Sequence, residues 1–371
     1  MPSPSPAAAE TASTAARGRA LILSLQDATG AYPASPTFSA YRGYSWLRDG
    51  AFIADGMSAV GEVESASRFF DWCARTIEAR ADRIGEIVTA AATGSPVADG
   101  DMLPTRFTFA GGDGDAEWWD FQLDGYGLWM WSAVAHAERH GLDPARWRPA
   151  IELTIDYLTS SWSRPCYDWW EEHVEQVHVS TLGSIEAGLR SAARVDGLDS
   201  ERRAAALGAA AGAAALIRER GTAHGHLVKW LGSTDVDASL AALVAPLGVV
   251  DPASDLARAS VAELDAQLVV DGGMHRFAAD TYFGGGQWPL LSCLLGLAHL
   301  ATGDRERAAE LWLWAAATER DRGSMPEQVD DHLLDPSYVA EWIERWGPSA
   351  DPLLWSYAMF LRLGAALGET S

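Results

Sequence analysis

The chain has 371 residues, and with 48% hydrophobic and 21% charged residues it has the composition of a globular protein with a sizeable core. Its formal net charge is −23, which disfavours nucleic acid and anionic membrane surfaces as partners.

The N-terminus, MPSPSPAAAE, consists mainly of Pro, Ser and Ala, and it predicts a disordered tail over residues 1–10. This stretch has neither the basic region nor the apolar region of a signal peptide. The longest apolar run, at 204–217, is too short for a membrane helix. Three dispersed cysteines predict a reducing compartment without disulfides. We therefore expect a cytoplasmic protein, either a monomer or a weak homo-oligomer.

Beyond the tail, one unit recurs along the chain: a loop rich in aromatic, acidic and glycine residues leads into a helix of small apolar residues. It recurs at 44–62, 118–141, 180–197, 231–248, 280–303 and 349–368. The loop that leads into 180–197 is CYDWWEEHVE, at 166–175. Between these units the apolar residues fall at helical spacing with charged residues on the opposite face. These amphipathic helices are predicted at 10–26, 63–92, 145–160, 200–220, 253–268 and 304–320.

Helices that are apolar all round belong inside a protein, and amphipathic helices belong outside. The alternation therefore predicts an all-α fold, an (α/α)6 barrel of six inner and six outer helices. We expect one catalytic domain over 11–371, with the functional loops at one end of the inner ring. A tandem helical solenoid would give a similar pattern, but the unequal intervals between the loops favour the closed barrel.

The predicted loops carry most of the residues that could perform chemistry. Their acids are Asp49, Asp124, Glu171, Glu172, Asp235, Asp237, Asp280 and Glu327, and five loop tryptophans are expected beside them, namely Trp46, Trp119, Trp169, Trp170 and Trp288. The chain has 17 tryptophans, and their flat faces suit stacking on sugar rings. Glycoside hydrolysis needs one acid to protonate the leaving oxygen and a second to attack the sugar or activate water.

Five separated motifs are similar, in the same order, to those of glycoside hydrolase family 15, the glucoamylase-like enzymes. They are YSWLRD (44–49), YDWWEE (167–172), RFAADTYFGGGQWP (276–289), SMPEQVD (324–330) and LLWSY (353–357). The resemblance implies an inverting, exo-acting α-glucosidase on an (α/α)6 barrel that needs no cofactor.

The resemblance also implies catalytic roles. Glu171 matches the general acid, and Glu327 matches the general base that activates water. An inverting mechanism places two such carboxyl groups about 6.5–9.5 Å apart. The family position that helps to hold the attacking water corresponds here to Arg42, with Tyr41 and Tyr44 beside it, so that this role stays open among the three.

Substrate-binding residues follow from the same resemblance. Arg48 and Asp49 match the pair that binds the outer hydroxyls of the terminal glucose. Arg276 matches the arginine that reaches this glucose and the next site, and Glu172 matches the glutamate that binds the leaving-side sugar. Aromatic walls are implied at Trp46, Trp170, Trp288 and Trp355, with a looser match at Trp119 beside the leaving-side sites.

The expected partner is a small oligosaccharide. An intracellular single barrel fits isomaltose or short α-1,6-linked oligosaccharides, while maltose, kojibiose, nigerose and trehalose stay open. The alternatives are a glucoamylase- or trehalase-type hydrolase of another linkage and a non-catalytic sugar-binding barrel; phosphorolysis is disfavoured because the loops lack a basic cluster. No metal is expected, since HExxH is absent and His173 and His178, five residues apart, do not share a helix face.

Overall fold

The computed structural model describes residues 6–320 and 323–369. Within them the chain forms α1 Pro6–Leu25, α2 Leu47–Ala59, α3 Val63–Glu78, α4 Ala81–Ala92, α5 Asp124–His140, α6 Arg148–Ser161, α7 Val179–Ala192, α8 Ser200–Arg220, α9 Ala241–Val244, α10 Asp255–Leu268, α11 Pro289–Thr302, α12 Arg305–Ala317, α13 Val339–Trp346 and α14 Leu354–Leu367. Three short antiparallel pairs join β1 Tyr44–Trp46 to β2 Arg106–Thr108, β3 Thr222–Ala223 to β4 His226–Leu227, and β5 Val269–Val270 to β6 Gly273–Met274.

Six helices close a ring: α2 packs on α5, α5 on α7, α7 on α9, α9 on α11, α11 on α14, and α14 returns to α2. The helices α1, α3, α6, α8, α10 and α12 pack outside this ring. Burial follows the same division, because nearly every residue of α2 and α11 is buried, whereas α8 and α12 bury a single stripe. The predicted (α/α)6 barrel is therefore confirmed.

Glycines permit the close approach of the inner helices α5 and α7. A Cβ atom on Gly127 would overlap the carbonyl group of Ser184, and one on Gly188 would overlap the backbone of Gly127. Because only glycine lacks a Cβ atom, these positions bring the two helix backbones together. This contact helps to fix the spacing of the loops that precede the two helices.

Two predicted outer helices differ from the structure, one at its start and one in its middle. The predicted tail lies partly outside the described residues, but α1 already begins at Pro6, because proline suits the first helical turn and the alanine run after it favours a helix. The helix predicted over 63–92 is two helices, α3 and α4. Arg80 separates them, since its guanidinium donates to the carbonyl oxygens of Thr76 and Gly111 and thereby caps α3.

The fourth inner helix is shorter than predicted. Only α9, four residues long, follows a 3-10 turn at Ala238–Leu240, because Pro246 has no N–H group to continue the helix. The structure also adds α13, which the sequence reasoning did not predict.

The chain shows no helix, within residues 6–320 and 323–369, that is long and apolar enough to cross a membrane.

Candidate active site

A single pocket is built by the segments that precede the inner helices, together with α13. All eleven predicted site residues line it: Trp46, Arg48, Asp49, Trp119, Trp170, Glu171, Glu172, Arg276, Trp288, Glu327 and Trp355. The pocket holds about 850 Å³ of empty space measured out to its open mouth.

Glu171 lies in the loop before α7, where its backbone is left-handed with φ +66°. One oxygen of its carboxylate, Oε1, accepts hydrogen bonds from Trp46 Nε1 at 2.9 Å and from Gln122 Nε2 at 3.2 Å. Arg48 Nη2 lies 3.7 Å from the same oxygen. These donors fix the orientation of the carboxyl group through Oε1.

Glu327 lies in the segment between α12 and α13 and is only 1% exposed. Its Oε1 accepts a hydrogen bond from the hydroxyl of Tyr41 at 3.0 Å, and its Oε2 accepts one from Ser349 at 3.1 Å. Burial raises the pKa of Glu327 to about 7, although both hydrogen bonds oppose the rise. A carboxyl group with such a pKa can exchange a proton near neutral pH.

The structure distinguishes the three residues that the sequence left open beside Glu327. Tyr41 lines the pocket, and its hydroxyl lies 3.4 Å from that of Tyr282. Arg42 is exposed, and the hydroxyl of Tyr44 donates to Asp115 outside the pocket. Tyr41 is thus the member of the three that contacts the candidate base.

Arg48 and Asp49 lie side by side on the first turn of α2. The Nη1 group of Arg48 donates to Gln122 Oε1 at 2.6 Å and to Asp124 Oδ2 at 3.0 Å, whereas its Nε is 3.6 Å from Asp49 Oδ2. Burial raises the pKa of Asp49 to about 6. Since Asp124 is the stronger partner of Arg48, Asp49 keeps acceptor capacity on the pocket side.

Arg276 lies against the opposite wall. Its Nε donates to Asp280 at 2.8 Å, and its Nη2 donates to Asp280 and, at 3.3 Å, to Glu172. Its guanidinium carbon is 5.3 Å from the ring centroid of Trp170 and 5.5 Å from that of Trp288. The guanidinium is therefore held in place by a carboxylate and two aromatic faces before any ligand binds.

Indole N–H groups point to the polar character of a ligand. Four buried indole nitrogens, those of Trp118, Trp169, Trp288 and Trp355, have no hydrogen-bond partner within the described residues. Buried donors are normally satisfied, so unpaired donors lining a pocket are suited to ligand hydroxyl groups. Trp355 also stacks on Phe52, with centroids 5.1 Å apart and planes at 14°, and it serves both the core and the pocket wall.

The helix α13 forms a wall that the sequence reasoning missed. Trp342 and Trp346, one turn apart, both line the pocket. The ring of Trp342 lies 4.9 Å from that of Tyr282, and Trp346 lies 6.1 Å from Trp118. The signal was present as two tryptophans at i and i+4 in an amphipathic segment.

The predicted loop acids do not all reach the pocket. Asp124 and Asp280 are buried behind it as partners of Arg48 and Arg276, and Asp237 is buried beside Lys229. Asp235 is exposed. Convergence on one face was therefore only partly right, because buried arginines and a lysine take up three of these carboxylates.

The chain is similar to several known proteins. The model of the glycosyl hydrolases family 15 matches residues 16–317. An isomaltose glucohydrolase of Kribbella flavida is 52% identical over 355 residues, which cover 95% of this chain and 92% of the relative. A solved glycosidase in complex with glucose is 50% identical, with a TM-score of 0.97 and full coverage of both chains. A bacterial glucoamylase complexed with acarbose shares the fold at 18% identity, with a TM-score of 0.77 over 96% of this chain and 56% of that chain.

Proposed function

Since the chain belongs to glycosyl hydrolase family 15 and is an inverting, exo-acting α-glucosidase, we propose that it hydrolyses isomaltose and short α-1,6-linked gluco-oligosaccharides, releasing β-glucose. The observation that carries this substrate is the isomaltose glucohydrolase that is 52% identical over 95% of the chain. The aromatic wall of α13 supports a small substrate, because Trp342 and Trp346 narrow the space that the pocket offers to a sugar chain.

Glu171 is the proposed general acid. Its Oε1 is occupied by Trp46 and Gln122, and within the described residues no hydrogen bond reaches Oε2. The proton therefore resides on Oε2, from which it passes to the glycosidic oxygen as the bond to the anomeric carbon breaks.

Glu327 is the proposed general base. A water held between its carboxylate and the hydroxyl of Tyr41 gives up a proton to Glu327 and attacks the anomeric carbon from the face opposite the leaving group. The pKa of Glu327, about 7, supports this role because a base near the working pH is both ionised and basic enough.

The remaining polar groups suit the hydroxyls of the two sugars. Arg48 and Asp49 offer a donor and an acceptor to the outer hydroxyls of the terminal glucose, and the Nε of Arg48 has no hydrogen-bond partner within the described residues. Glu172 and Arg276 are placed for the leaving-side sugar, with Glu172 partly exposed toward the opening. A planar guanidinium can bind adjacent hydroxyls with two parallel hydrogen bonds, which a lysine cannot.

Proton NMR with isomaltose, maltose, kojibiose, nigerose and trehalose in parallel tests the proposal by following the first anomer released. We expect β-glucose, fastest from isomaltose, and loss of release in both Glu171→Gln and Glu327→Gln. Initial α-glucose would contradict the roles of the two carboxylates. Preference for another disaccharide would replace the proposed linkage, and no release from any of the five would favour a sugar-binding protein.

A further inference from the structure

Lys229 is the single lysine among 371 residues, and it is buried. Its ammonium lies 3.1 Å from Asp237 Oδ2 and 3.8 Å from Asp168 Oδ2, with each of these side chains almost fully buried. The ammonium also lies 3.1 Å from the ring centroid of Phe277. A lysine is rarely buried without a specific partner, so one cation between two carboxylates and an aromatic face is a built arrangement.

The two carboxylates hold the loop of the candidate general acid from both sides. Oδ1 of Asp168 accepts the backbone N–H groups of Trp170 and Glu172, each at 2.9 Å. Asp237 accepts the indole N–H of Trp170 at 2.9 Å and 3.1 Å. Both carboxylates therefore connect Lys229 to the residues on either side of Glu171.

This loop needs to be held. Glu171 and His173 both have left-handed backbones, with φ +66° and +53°, which side chains other than glycine adopt only when their surroundings impose it. The turn that imposes it is closed by Asp168, whose N–H donates to Glu172 O at 3.1 Å and whose carbonyl accepts from the N–H of Glu171 at 3.1 Å.

The backbone of Lys229 is fixed to the same region. Its carbonyl accepts the N–H of Val179, the first residue of α7, at 3.1 Å, and its N–H donates to Asp235 O at 2.8 Å. The backbone of Lys229 is thus anchored to the helix that follows the loop, independently of the loop residues that its side chain holds.

We propose that Lys229 is a positioning residue for the hydrolytic reaction, whose ammonium holds Asp168 and Asp237 and through them keeps Glu171 at the glycosidic oxygen. The proposal rests on the proposed function, because it takes Glu171 as the general acid. Lys229 itself does not line the pocket.

Electrostatics supports the dependence on this one cation. Burial raises the pKa of Asp168 to about 6 even with Lys229 beside it. Burial also opposes the ionisation of Asp237, yet Lys229 and the bonds from Ser239 and Trp170 together hold its pKa below the usual value. Without the ammonium, one of the two carboxyl groups takes up a proton at neutral pH, and its hydrogen bonds to the loop weaken.

The test compares two substrates of the Lys229→Met variant, which keeps the length of the side chain and removes its charge. Isomaltose needs a proton on its leaving oxygen, whereas α-glucosyl fluoride releases fluoride, a weak base that leaves without one. We expect kcat for isomaltose to fall by about 100-fold, the cost of misplacing a reacting group by about 1 Å. Most of the rate on α-glucosyl fluoride is retained.

Two controls make the result specific. Arg362→Met removes one of the two arginines that bond to Asp55, another buried carboxylate. Asp55 lies about 12 Å along α2 from the start of that helix. We expect this variant to lower thermal stability without changing the activity on one substrate relative to the other. Glu171→Gln shows the selective loss that defines a missing acid. If Lys229→Met does not fold, Lys229→Met/Asp168→Asn, which removes one of the two carboxylate charges left without the ammonium, is measured in its place with the same expectation.

The outcomes separate the two proposals. If both Glu171→Gln and the Lys229 variant lose activity on isomaltose but keep most of it on α-glucosyl fluoride, the positioning role is supported. If Glu171→Gln shows this selective loss but the Lys229 variant loses activity equally on both substrates, or on neither, the positioning role is overturned and the proposed function stands. If Glu171→Gln loses activity equally on both substrates, Glu171 is not the general acid, and the positioning role is overturned as well.

Discussion

The hydroxyl of Tyr41 can be removed while its ring is kept, which isolates one hydrogen bond to the candidate base. The ring packs at 4.5 Å from Phe38 and 5.3 Å from Trp46, centroid to centroid, and Tyr41→Phe preserves both contacts. Only the 3.0 Å hydrogen bond to Glu327 Oε1 and the weaker approach to Tyr282 are lost.

The expected effect follows from the charge of the acceptor. A hydrogen bond to an ionised group contributes about 1.5–3 kcal/mol, so its loss raises the pKa of Glu327 by about one to two pH units above its value of about 7. The base must be ionised to activate water, and activity is lost as the pH falls through its pKa. The acidic limb of kcat/KM therefore moves to higher pH in Tyr41→Phe.

The measurement is the pH dependence of kcat/KM for isomaltose, with Tyr44→Phe as the matched control. Tyr44 donates to Asp115 and does not contact Glu327, so its variant keeps the limb of the wild type. A lower rate at every pH with the limb unmoved would refute the reasoning. Tyr41 would then act on the water alone, and the pKa of Glu327 would be set without it.

Three further outcomes are expected. Burial raises the pKa of Glu327 from 4.5 to about 7, so the ionisation of Glu327 costs about 3 kcal/mol of folding stability. This cost is absent below pH 4.5 and complete above pH 7. Urea unfolding should therefore show Glu327→Gln to be more stable than the wild type at pH 8 and equal to it at pH 4. Gly188→Ala should lower stability by about 1–3 kcal/mol, because its Cβ atom overlaps Gly127, whereas Gly208→Ala, with open space on α8, should raise it by about 1 kcal/mol in the same unfolding assay. Trp346→Ala should raise the rate on isomaltotriose relative to isomaltose, and an unchanged ratio would show that α13 does not limit chain length.

The barrel could be predicted because its cause is local. Helices apolar on every side and helices with one apolar stripe alternate along the sequence, and this difference decides which helix is inside. The prediction failed where a single residue overrides the pattern. Pro246 shortens the fourth inner helix to α9, and Arg80 divides the helix predicted over 63–92 by bonding to carbonyls on two different elements.

The pocket residues could be named because they lie within short motifs, yet their partners could not. The pair Arg276–Asp280 can be read directly, since its members are four residues apart. Arg48 and Asp124 are separated by 76 residues, and only the packing of α2 against α5 brings them together. Spacing within a motif therefore predicts which side chains face a ligand, but tertiary packing decides which charges lie behind them.

Lys229 shows why the charged residues behind the pocket could not be predicted from the sequence. It stands in a loop without a neighbouring charge, and the apolar residues beside it, Val228 and Trp230, do not show which carboxylates it faces. Its partners come from the loop before α7 and from the turn before α9, at 168 and 237. A cation in such a place is useful because a buried carboxylate that closes a strained turn stays ionised only beside a fixed opposite charge. In this proposal Lys229 does not contact the sugar, yet the position of the general acid Glu171 depends on it.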